Sequence, residues 1–149
     1  MLETNFTNVY TKFKLRLYAK VFSRFESREA SLSAVETFCV EVIYALGRPT
    51  INEFAAFAQI SAPNAVYKIN SLVKKGYVRR VRSLEDRREF HLEVTKKYMD
   101  YYGITYDYIL AVMQRIRDRF PPEEVDQFDH MLHVIWSELM PEVVLKGEA

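Results

Sequence analysis

The chain has 149 residues, a net charge of +1 and 49% hydrophobic residues, the length of one domain and an apolar content too high for a disordered chain. No apolar run approaches the roughly 18 residues that span a bilayer, and Met1 to Phe6 has neither the basic start nor the apolar stretch of a secretion signal. With a single cysteine there is no internal disulfide, so a cytoplasmic protein without a membrane partner is expected.

The first predicted element is a helix over about 5–25, where Phe6, Val9, Tyr10, Phe13, Leu17 and Val21 recur at helical spacing. Lys12, Lys14, Arg16, Lys20 and Arg24 take much of the other face. Its aromatic stripe is long for a small domain, so a helix shared between two subunits is weighed beside a core-packing one. Glu26 to Leu32 is polar and reads as a loop. Ser33 with Glu36 has the form of a capping box. It opens a helix to about Leu46 whose apolar side is Val35, Phe38, Cys39, Val42, Ile43 and Leu46. Gly47 and Pro49 end it.

Thr50 to Val94 reads as two short helices followed by a β-hairpin, a winged helix-turn-helix. Thr50 with Glu53 has the form of a second capping box, and Ile51, Phe54, Ala55 and Ala58 make the buried stripe of the first helix. Gln59-Ile60-Ser61 is the turn, Ser61 caps the next helix, and Pro63 falls in its first turn, where no N–H is needed. That second helix runs from about Ala62 to Lys75, with Ala65, Ile69, Leu72 and Val73 inward and Gly76 as its left-handed stop. Asn64, Tyr67, Lys68, Asn70 and Ser71 form a polar outer face suited to base edges. Tyr77 to Arg82 and Glu89 to Val94 are the paired strands, and Ser83 to Arg88 is a charged tip.

Thr95 is expected to cap a long helix to about Phe120, apolar over a wide arc, with Gly103 inside it marking a close contact or a bend. Pro121 and Pro122 break the pattern. A last helix follows, lined by Val125, Phe128, Met131, Leu132, Ile135, Trp136 and Leu139, but Pro121 has no side-chain oxygen with which to cap it. These terminal helices have more apolar face than one winged unit needs. Helices over about 5–25 and 95–140 are therefore assigned to an intertwined homodimer, and the winged part to about 33–94, within one domain of 149 residues. The fold class is mainly α (α+β): a winged helix-turn-helix with N- and C-terminal dimerisation helices.

Across the winged segment Lys68, Lys74, Lys75, Arg79, Arg80, Arg82, Arg87 and Arg88 oppose only Glu85, Asp86 and Glu89, a local basic patch on a neutral protein and the footprint of a DNA reader. The order of residues from Ser61 to Gly76, then Tyr77, Val78 and Arg80, then Asp86-Arg87-Arg88 ahead of Leu92 to Thr95, resembles the MarR family of bacterial transcriptional regulators. Two positions depart from the family pattern: Lys68 stands at a usually apolar position and Tyr67 at an often basic one. The resemblance implies a homodimer on an imperfectly palindromic duplex, acting as a repressor. The DNA-binding candidates are Ser61, Asn64, Tyr67, Lys68, Ser71, Arg80, Asp86, Arg87 and Arg88. Arg88 is assigned to the minor groove, and Asp86 to holding the wing arginines or to stabilising the turn. The resemblance also implies a small aromatic or anionic effector between the winged unit and the dimer helices. Phe13, Leu17, Phe38, Tyr44 and Tyr102 are its candidate lining, although such a stripe is first of all a packing surface.

Other chemistry has less support. Cys39 invites a redox reading, but Phe38, Val40 and Val42 around it predict a buried, inert thiol. His130 and His133 follow Asp126 at a metal-compatible spacing without a further ligand set, so no metal is expected. There is no Gly-rich phosphate loop or nucleophile elbow, and neither catalysis nor a cofactor is expected. A winged module that binds protein rather than DNA is the alternative.

Overall fold

The computed structural model describes residues 1–25 and 32–145, except the side chains of residues 24, 25, 101, 102, 104 and 105. Its elements run α1 (Leu2–Phe25), α2 (Ala34–Leu46), α3 (Ile51–Ala58), α4 (Ala62–Lys74), β1 (Val78–Arg82), β2 (Phe90–Val94), α5 (Lys96–Arg119) and α6 (Pro122–Glu138). The expected loop over 26–32 lies outside the described residues apart from Leu32, which is buried.

Local chemistry sets most helix ends. Ser33 and Glu36 close a complete capping box at α2, and Gly47 ends that helix at φ 68°. Thr50 caps α3 by accepting the Glu53 N–H at 3.1 Å. The Glu53 carboxylate meets the Thr50 hydroxyl rather than the Thr50 N–H, so this box is only half of the expected one. Ser61 caps α4, Gly76 follows its end at φ 83°, and Pro121 precedes α6 with no side-chain cap. Thr95 departs from expectation. It sits at the N-cap of α5 without capping it, because its hydroxyl donates to the Gly76 carbonyl at 2.5 Å. A Cβ at Gly103 would meet nothing within 4 Å, so no close contact inside the described chain explains that glycine.

The core belongs to the winged unit. Cys39, Val40 and Ile43 of α2 pack with Phe54 and Ala55 of α3, Ala65, Ile69 and Leu72 of α4, Val78 and Leu92 of the hairpin, and Tyr98 at the start of α5. β1 and β2 are antiparallel, with Val78 opposite Val94 and Arg82 opposite Phe90. The chain just before α3 joins this sheet: Thr50 bridges His91, and the Leu92 N–H donates to the Pro49 carbonyl at 2.8 Å.

The terminal helices are covered far less. α1 rests on α5 through an edge contact of the Phe13 and Tyr108 rings, with centroids 5.6 Å apart. Among the described residues of α6 none is buried. Phe6, Val9, Phe22, Met131 and Leu139 are each more than half exposed. No helix among the described residues is long and apolar enough to cross a membrane.

Candidate nucleic-acid interface

Helix α4 turns its buried row, Ala65, Ile69 and Leu72, into the core. The opposite side is open: Asn64, Val66, Tyr67, Asn70 and Lys74 are exposed, and Tyr67 keeps 75% of its surface. Ser61 is also exposed, its hydroxyl accepting the Asn64 N–H at 3.3 Å. Two expected members of this face lie elsewhere. Lys68 and Ser71 are only half-exposed and share a row with Lys75 along the flank turned to α2. The Ser71 hydroxyl donates to Glu36 at 2.8 Å, and the Lys75 ammonium sits 2.8 Å from the same carboxylate. Burial raises the Glu36 carboxyl, but the Lys75, Ser33 and Ser71 hydrogen bonds outweigh it and hold the pKa at about 2.

The wing tip is a tied turn. Ser83 Oγ accepts the Glu85 and Asp86 N–H groups at 3.3 Å each, and Asp86 Oδ1 accepts the Arg88 N–H at 2.9 Å. The Asp86 carboxylate therefore holds the main chain, the turn-forming role, and takes no guanidinium among the described residues. Arg87 and Arg88 are exposed beyond it, and among the described residues neither forms an ion pair. Leu84 is wholly exposed beside them.

The basic patch shrinks once partners are assigned. Glu93 lies between Arg48 at 2.7 Å and Arg79 at 2.6 Å. Arg82 lies over the Phe90 ring. Arg80 donates to the Asn70 side chain on α4. Among the described residues of this patch, Arg87 and Arg88 on the wing tip, Arg80 and Lys74 by the open side of α4, Lys68 on its flank and Arg82 over the Phe90 ring have no carboxylate at ion-pair distance. Sequence reasoning missed the roles of Glu36, Lys75, Asn70 and Glu93. Each contact spans distant segments, and only the capping-box spacing of Glu36 gave any signal.

The groove between α1, α2 and α5 has a volume of about 540 Å³ and is lined by Phe13, Leu17, Phe38 and Glu41, among others. Burial pushes the Glu41 carboxyl up. Tyr44 is absent from this groove: its ring lies 5.7 Å from that of Tyr98, over a smaller pocket of about 220 Å³. The Tyr102 side chain lies outside the described residues. Cys39 is 8% exposed, and burial pushes its thiol up. Among the described residues no group of three or more His, Cys, Asp or Glu side chains could hold a metal ion.

Residues 32–90 match the sequence profile of the MarR family. Among solved structures, the chain is 24% identical to FabT of Streptococcus pneumoniae, crystallised in complex with DNA; the match covers 95% of this chain and 97% of that one, with a TM-score of 0.61. A mutant of MepR from a multidrug-resistant S. aureus clinical isolate is 16% identical over 93% of this chain and 97% of that one, with a TM-score of 0.67. A MarR family protein from Bacillus stearothermophilus is 14% identical over 93% of each chain, with a TM-score of 0.65. No curated protein matches. At these identities the likeness establishes the fold, a winged helix between terminal helices.

Proposed function

We propose that this chain, whose residues 32–90 match the MarR family, is a transcriptional regulator of that family that binds double-stranded DNA as a homodimer. The supporting observation is the exposed pair Arg87 and Arg88 on a tied wing whose strand β1 meets the open side of α4 through Arg80 and Asn70. In this reading Asn64 and Tyr67 meet base edges in a major groove, with Ser61 at the helix start. Arg88 enters the adjacent minor groove, where narrowness concentrates negative potential. Arg87 and Arg80 lie along phosphates. Ser71 and Lys68 contribute from the flank, and Asp86 shapes the turn that presents the arginines. FabT of S. pneumoniae in its DNA complex lends the reading its precedent.

The dimer is supported by surface area. A 17.6 kDa chain folded as a compact monomer exposes roughly 7900 Å² by the scaling of folded surfaces. This chain exposes 11156 Å². The excess, about 3300 Å² per chain, is more than the roughly 1000–2500 Å² that each partner of an obligate dimer buries, so it leaves room for such an interface, and it includes the apolar faces of α1 and α6. Two α4 helices related by a two-fold axis then meet an imperfect palindrome, with half-sites about 34 Å apart. Repression follows if the site overlaps a promoter. A small aromatic or anionic effector is assigned to the groove at Phe13, Leu17 and Phe38, with Lys14 and Arg16 on its wall. A cytoplasmic, non-catalytic role completes the proposal.

The test is duplex binding across a salt series. Affinity should fall steeply with salt as phosphate contacts release counterions. Arg88→Ala should weaken binding to all duplexes and make the salt slope shallower by about 1, and Asn64→Ala should shift sequence preference by about 1–3 kcal/mol at one position. A wild-type protein that ignores duplex DNA but captures a protein partner would replace this reading with that of a winged protein-interaction module.

A further inference from the structure

The end of α4 is held from two sides. The last carbonyls of a helix lack partners inside it and take them from elsewhere. Here the Lys97 ammonium, at the start of α5, donates to the Lys75 carbonyl at 2.9 Å and stands 4.5 Å over the Tyr77 ring. Thr95 adds its hydroxyl to the Gly76 carbonyl at 2.5 Å, and its N–H to the Tyr77 carbonyl at 3.0 Å. From the other side, Glu36 at the start of α2 takes the Lys75 ammonium and the Ser71 hydroxyl, while the Ser33 N–H fixes its own position at 3.1 Å. Lys75 is thus gripped by its side chain from α2 and by its main chain from α5.

We propose that Glu36 and Lys97 are positioning residues: together they set the angle at which α4 is presented, Glu36 tying its last turns to α2 and Lys97 tying its last carbonyl to α5. The inference rests on the reading of α4 as the DNA-reading helix. Neither residue lies on the open side of α4, so neither reads a base. Hydrogen bonds to base edges are narrow in distance and angle. A helix free to rock about its first turn makes fewer of them at once, and phosphate contacts by flexible lysines and arginines suffer less. Positioning therefore shows as lost discrimination rather than lost grip.

The experiment compares wild type with Glu36→Gln, Lys97→Met and Lys97→Arg. Each binds two duplexes: one selected by the wild-type protein from a random pool, and a scrambled duplex of the same composition. Both are titrated across a salt series, and amide hydrogen exchange over residues 72–77 is followed in the free proteins. Lys97 is exposed, so its variants leave the core untouched. Glu36→Gln and Lys97→Met should each lower the ratio of selected to scrambled affinity about tenfold, as loss of a base contact does, with the salt slope unchanged. Amides at the end of α4 should exchange faster in both, and Lys97→Arg, which can still donate to the carbonyl, should restore the ratio. If Lys97→Met instead weakens both duplexes alike and makes the salt slope shallower by about 1, Lys97 is a phosphate contact and the proposal fails. An unchanged ratio with unchanged exchange also overturns it. Should wild type bind no duplex, the regulator reading falls, and faster exchange in the variants would still support the clamp.

Discussion

Ser71 and Tyr67 differ mainly in which side of one helix they occupy, and that difference decides their chemistry. Residues 68, 71 and 75 make one row toward α2, where Glu36 waits for two of them. A polar row facing a neighbour's carboxylate has the same pattern in sequence as a polar row facing water. The buried row Ala65, Ile69 and Leu72 was therefore legible, while the two polar rows were not separable. Lys68 is half-buried on that flank. Gln59 shows local strain more directly. It ends α3 at φ 54°, a left-handed conformation that costs non-glycine residues about 1–2 kcal/mol. Gln59→Gly should raise stability by about 0.5–1 kcal/mol after its own entropy cost, read as a higher denaturation midpoint at an unchanged slope. A lower midpoint would mean that the Gln59 side chain makes a contact worth more than the strain.

Element ends were legible wherever the signal was local. Ser33 with Glu36, Ser61 with Pro63, Gly76, and Pro121 with Pro122 each act within a few residues, and the structure has helix ends at all of them. Thr95 went astray because Gly76, distant in sequence but adjacent in the fold, offers its hydroxyl a carbonyl. Glu36 serves as an N-terminal cap for α2 and also as an anion for α4, and this double use has a pH signature. Its folded pKa, about 2, lies below the ordinary value of 4.5. The stability it lends is therefore complete above the unfolded pKa and is lost as pH falls through the interval down to the folded one. The melting temperature of wild type should drop more steeply from pH 4.5 to 2 than that of Glu36→Gln, which has no carboxyl to protonate. Parallel pH profiles would refute this account of the shift.

At the scale of the molecule, the core was legible in the winged half because that half buries its own stripes. The terminal helices showed wide apolar faces in sequence, and they keep them in the folded chain: Phe6 is 57% exposed and Met131 55%. If a second chain covers these faces, a charge placed among them should cost about 2 kcal/mol or more of association. Met131→Glu should therefore move the protein from twice the chain mass toward a single chain in sedimentation at micromolar concentration. Melting of the winged core should change little. A wild-type protein that sediments as one chain would remove the dimer from the proposal.

The join between hairpin and helices carries a further consequence. β2 is bridged to Thr50, the cap of α3, and His91 Nδ1 donates to the Arg48 carbonyl at 2.8 Å. Arg80 of β1 reaches Asn70 of α4. The hairpin is thus joined to the helices on both strands, and on the proposed reading the offset between the tip arginines and the open side of α4 is set before any duplex arrives. A duplex whose grooves fall out of phase with that offset must bend or twist to fit, and its stiffness is charged against binding. Selection among sites should accordingly extend to base steps that no side chain touches, with pliable pyrimidine–purine steps favoured between the grooves.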